Sequence, residues 1–126
     1  MRKLLYCEPL RFLEQPCFID QTKMKSQNIF SEIPKNLTYE IFEPLIRSDA
    51  VIIERIISKG QQSSSWHDQK KNEWVIVLKG EAILTFEDQT SVQLKGGDFI
   101  NIPAHKKHRV SWTNPENETI WLAIHY

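Results

Sequence analysis

Only two cysteines occur in the 126 residues, Cys7 and Cys17, with nine residues between them. That pair is neither a zinc-ligand spacing nor a disulfide framework, so each is read as a buried or free thiol. Charge of one sign is lacking too: sixteen basic residues balance sixteen acidic ones and the pI is near 6.9. With no long run of either sign, nothing points to nucleic acid or an anionic membrane, and a small molecule or another protein chain is the expected partner. Long apolar runs are missing as well. Stretches such as Val51 to Ile53 and Trp74 to Leu78 fall far short of the ~20 residues of a membrane helix. The N-terminus opens like a secretion signal, but Glu8 and Pro9 interrupt its apolar part, so a cytoplasmic protein is expected. No Gly-x-Ser-x-Gly elbow, glycine-rich phosphate loop or dinucleotide fingerprint occurs. The serines at 63 to 65 precede a tryptophan rather than a base, and they are set aside as nucleophiles.

What is present is a succession of short β-branched and aromatic runs from Ala50 onward. They cover Val51 to Ile57, Trp74 to Lys79, Glu81 to Glu87, Thr90 to Leu94, Asp98 to Ile102, His108 to Thr113, and Glu118 to His125. Strands this short at such close spacing predict an all-β sandwich or barrel. Lys79-Gly80, Glu87-Asp88-Gln89, Lys95-Gly96-Gly97-Asp98 and Asn114-Pro115-Glu116-Asn117 supply the turns between them. Tyr39 to Ile46 is ambiguous: Ile41, Phe42, Leu45 and Ile46 suit a helical face, while Pro44 favours an edge strand or an irregular arm. One domain is expected over 28–126, preceded by an extension or arm over 1–27. Met24 offers a plausible second start, from which 103 residues would form the functional domain.

From Gly60 the chain reads GQQSSSWHDQKKNEWVIVLKG, and from Gly97 it reads GDFINIPAHKKHRVSW. The first resembles the first cupin motif, G-x5-H-x-H-x4-E-x6-G, with Gly60, Glu73 and Gly80 in place. Trp66 and Asp68 stand where that motif has its two histidines. The second resembles G-x5-P-x-G-x2-H-x3-N, with Gly97, Pro103 and His108 in place, His105 for the glycine and Trp112 for the asparagine. Sixteen residues, Glu81 to Gly96, separate the motifs. The resemblance spans Ala50 to Tyr126, more weakly from Asn28, and is to small bacterial single-domain cupins. It implies a jelly-roll barrel, the double-stranded β-helix, with the N-terminal arm outside it.

In the cupin frame the two motif strands lie side by side, which would bring Asp68, Glu73 and His108 to one point. Two carboxylates and an imidazole make a credible set for Mn, Fe or Zn, with open positions for water or substrate. Strand alternation puts Trp66 and Asp68 on one face and turns His67 to the other. On the second motif it puts His108, Val110 and Trp112 together and sends Lys107, Arg109 and Ser111 to solvent. The expected pocket is therefore lined by Trp66, Asp68, Val75, Val110 and Trp112, with Glu73 or His105 moving a proton. Trp74 and Trp121 are expected in the core or at a subunit contact. Lys106, Lys107 and Arg109 are read as a solvated rim or as a grip on an anionic substrate.

Two functions stay open at this point. One is a metal-dependent isomerase or dioxygenase acting on a sugar derivative or an oxygenated acid. The other is a binding or sensor cupin that has lost its metal, since Trp66 cannot coordinate; a hydrophobic pocket floored by Trp66 and Trp112 would then bind an apolar or aromatic ligand or simply be core, with Glu73 and His108 a buried hydrogen-bonded pair. The resemblance also implies a homodimer.

Overall fold

The computed structural model describes residues 23–126, so the readings for Cys7 and Cys17 and for most of the extension lie outside the described residues. Two compact units divide the chain, one ending at Ser31 and one spanning Glu32–Tyr126. In the first, Asn28 builds a turn: its Oδ1 accepts from the Phe30 N–H at 2.8 Å and its carbonyl from the Ser31 N–H at 3.0 Å.

The second unit carries eight strands: β1 (Ile41–Arg47), β2 (Ile52–Ser58), β3 (Glu73–Lys79), β4 (Glu81–Phe86), β5 (Ser91–Lys95), β6 (Phe99–Ile102), β7 (His108–Thr113) and β8 (Thr119–His125). They pair antiparallel in two sheets, of order β1-β2-β8-β3-β6 and β5-β4-β7. This is the expected jelly-roll barrel. No described helix is long and apolar enough to cross a membrane. The ambiguous stretch before Ala50 becomes the edge strand β1, where Pro44 costs no ladder bond that a further strand would need.

Alternation explains the core. Along β3, Glu73, Val75 and Val77 are buried, while Trp74 and Ile76 are only partly so. Val75 and Val77 meet Leu84 and Phe86 of β4, Leu94 of β5 and Trp121 of β8 in one cluster drawn from both sheets. Each such side chain contributes roughly 1.5–3 kcal/mol on burial. Trp121 is in the core as expected. Trp74 is not in the core: it lies against the exposed ring of Phe99, 5.2 Å between centroids, on the other face of the sheet.

Two local features set side-chain phase. Gly80 joins β3 to β4 with φ +99°, and a Cβ there would fall 2.6 Å from the Thr119 Cα. In the β4–β7 ladder Ile83 faces Trp112 and Leu84 faces Val110, so Ser111 is an extra, bulged residue. The bulge is held by the Ser111 hydroxyl, which donates to the Ile83 carbonyl at 3.2 Å.

Candidate functional site

The segment between β2 and β3 is irregular apart from one residue, His67, which forms an isolated antiparallel bridge with His108. The His67 N–H donates to the His108 carbonyl at 2.7 Å and the His108 N–H to the His67 carbonyl at 3.2 Å. Residues directly opposed in this way send their side chains to the same face. His67 therefore joins His108 at the barrel cavity, their ring centroids 5.7 Å apart. The expected phase is thus corrected by one residue, and Trp66 and Asp68 lie outside the cavity. Arg109 stands 5.3 Å over the Trp66 ring. Asp68 Oδ1 sits 2.8 Å from His105 Nδ1, both side chains exposed. His105 is accordingly a surface partner of Asp68, not a proton carrier in the pocket.

Trp112 is displaced for the second reason. The Ser111 bulge reverses the alternation after Val110, so Thr113, opposite Ala82, turns to the interior in its place. Val75 and Val110 line the cavity as expected. The rim cations are engaged elsewhere: Lys106 near Asp88 and the Phe86 ring, Lys107 near Glu87, Arg109 on Trp66.

The cavity floor is Glu73 and His108, both buried. His108 Nδ1 lies 2.9 Å from the Lys106 carbonyl, which can only accept, so Nδ1 carries a proton and Nε2 faces Glu73. Nε2 and Glu73 Oε1 are 3.5 Å apart, too long for a well-formed hydrogen bond. Oε1 is consequently a buried acceptor with no hydrogen-bond partner, a costly state that a bound molecule would relieve. Burial opposes the charged His108 imidazole. The Glu73 carboxylate and the Lys106 carbonyl outweigh that penalty and hold its pKa above the ordinary value.

Besides His67 and Gln69, four polar lining residues stood outside the expected pocket. Glu40, just before β1, accepts from the Ser58 hydroxyl at 2.6 Å, and Ser58 accepts from the Trp121 indole N–H at 3.1 Å. Burial raises the Glu40 pKa, against the Ser58 bond and the charge of His67. Glu54 on β2 pairs with His125 on β8, Oε1 to Nε2 at 3.1 Å. Ser63 Oγ accepts from the Val110 N–H at 3.2 Å and lies 3.3 Å from His67 Nε2. The one signal in the sequence was Glu54 in phase with Ile56 on a strand, a carboxylate on an inward face. The cavity has about 80 Å³ of free space, room for several waters or a compact polar molecule, given the ~10–15 Å³ that one water needs on this measure.

The model of the cupin domain matches residues 54–125. The chain belongs to the cupin family. Among solved structures this cupin is similar to a candidate mannose-6-phosphate isomerase of Ralstonia eutropha JMP134, at 40% identity and TM-score 0.77, over 81% of this chain and 97% of that one. It is also similar to a cupin superfamily protein of Desulfitobacterium hafniense DCB-2, at 24% identity and TM-score 0.63, over 74% and 82%. A third likeness is to an RmlC-like cupin of Methanocaldococcus jannaschii with a double-stranded β-helix fold, at 23% identity and TM-score 0.60, over 75% and 85%. The last two carry the fold alone. No curated protein sequence matches it.

Cupin domains often bind a metal ion, and the residues present were expected to supply Asp68, Glu73 and His108. That set does not come together, because Asp68 is on the outer surface with His105. Among the described residues no three His, Cys, Asp or Glu side chains converge as metal ligands. Glu73 and His108 alone leave a two-donor site, short of the three or four protein ligands that zinc centres use. The side chains of this cupin thus do not fit the expected metal.

Proposed function

We propose that this cupin takes a small polar carbonyl compound into its barrel and moves a proton on it with Glu73 and His108. The observation that carries the reading is the buried, unpartnered Oε1 of Glu73 beside His108 Nε2. A carboxylate in that state is a competent base, and an imidazole with raised pKa keeps a proton to give. Glu73 would accept the proton from the carbon next to the carbonyl while His108 protonates the carbonyl oxygen, giving an enediol. Return of the Glu73 proton to the neighbouring carbon, with a hydroxyl proton going back to His108, completes an isomerisation. The name of the Ralstonia relative, a candidate mannose-6-phosphate isomerase, agrees with that reaction class and supports a sugar-like substrate.

The experiment is hydrogen exchange in D₂O, followed by NMR at the carbon next to the carbonyl of aldoses and their phosphates. Exchange that falls by 10²-fold or more in both Glu73→Gln and His108→Gln is expected. Binding without exchange would leave a sensor or binding cupin. Elemental analysis is the complementary check: stoichiometric metal lost in both Glu73→Ala and His108→Ala would replace the acid–base reading with a metal-dependent one.

A further inference from the structure

A second depression, of about 280 Å³, adjoins the barrel cavity and shares Glu54, Gln69 and His125 with it. Its other charged side chains are Arg47, at the end of β1, and Lys70 and Lys71, in the loop before β3. Backbone ties fix both flanks. Lys71 Nζ donates to the Asp49 carbonyl at 2.9 Å, fastening the loop to the β1–β2 turn. That turn is closed by the Ser48 N–H to the Val51 carbonyl, 2.9 Å, and by the Val51 N–H to Ser48 Oγ, 3.1 Å. At its far end the loop is anchored by Asn72, which exchanges backbone bonds of 2.9 and 3.0 Å with Tyr126.

Among the described residues no carboxylate stands within ion-pair distance of Arg47, Lys70 or Lys71. The depression has one lining carboxylate, Glu54, and it is already paired with His125. The barrel cavity has the opposite character, with Glu40, Glu54 and Glu73 on its walls and no lysine or arginine among its described lining residues.

We infer that Arg47, Lys70 and Lys71 form a subsite for the anionic group of the ligand, a phosphate ester or carboxylate, whose uncharged polar end enters the barrel. The inference rests on reading the barrel as a small-molecule site and adds to it the ligand's charge and direction. Cations without a carboxylate partner attract an anion even on an open surface, and the Arg47 guanidinium matches the fork geometry of phosphate or carboxylate oxygens. The barrel wall carries Glu40 and Glu73 and offers no lysine or arginine among its described residues, so the charged end stays outside and the polar end meets Glu73 and His108.

Isothermal titration with glucose 6-phosphate, glucuronate and glucose tests this, because the three share a frame and differ in charge. Glucose 6-phosphate is expected to bind at least tenfold more tightly than glucose, with glucuronate between them and the advantage shrinking as salt is added. Arg47→Gln and Lys70→Gln should each bring the phosphate to within a few-fold of glucose. No binding by glucose 6-phosphate, binding no tighter than that of glucose, or an advantage that survives both substitutions would overturn the inference. Failure of the barrel reading looks different: Glu73→Gln and His108→Gln would leave all three affinities unchanged while the phosphate preference still depended on Arg47.

Discussion

Glu40 illustrates how much a single side chain can hide. Burial raises its pKa, and the hydrogen bond from Ser58 and the charge of His67 do not cancel that effect. The folded state therefore holds the proton more tightly than the unfolded one. Below the ordinary carboxylate pKa both states are protonated and nothing is lost; as pH rises through the folded value, the folded state loses stability relative to that baseline. Glu40→Gln keeps an acceptor for Ser58 and removes the buried charge. Thermal melts should show it a few degrees more stable than wild type at pH 7 and equal to it near pH 4. Nothing in the sequence around Glu40 marks it, since it precedes a stretch with no clear period. The opposite holds for Glu73 and His108, which were legible because motif spacing and alternation agree there. Asp68 and His67 were misassigned because alternation gives a period and not a phase; the phase came from a bridge to a residue 41 positions away.

Strands and turns were the most legible level. Seven runs named from composition became β2 to β8 with ends within about two residues, as expected of boundaries set by hydrogen bonds rather than side chains. What composition did not reveal was the Ser111 bulge, because an inserted residue leaves the run of apolar and polar residues looking continuous. Turns carry their own tests. At Gly80 any side chain meets the Thr119 backbone as well as an unfavourable φ, so Gly80→Ala should cost about 3 kcal/mol or more in urea unfolding. Gly97→Ala has the same sign of φ, +96°, and nothing within 4 Å, so about 1 kcal/mol is expected. Equal costs at the two sites would mean that close approach to Thr119 is not what demands glycine at Gly80.

For the whole molecule, the cupin frame sets what the pocket can be, and the departures from it set what the pocket does. The two sheets bring a Glu–His floor, a wall of carboxylates and a separate cationic depression to one end of the barrel. Self-association is the remaining expectation at this scale. We propose the homodimer that the family suggests, and light scattering should give twice the 14.9 kDa chain mass; a monomer mass removes it. The line of hydrogen bonds from Trp121 through Ser58 to Glu40 has an optical consequence. It ties an indole N–H to the cavity wall, so a molecule that withdraws Glu40 from Ser58 changes the polarity around a fluorophore. With Trp66, Trp74 and Trp112 replaced by phenylalanine, Trp121 would be the sole emitter of its class, and the wavelength of its emission would report occupancy of the barrel without any added label.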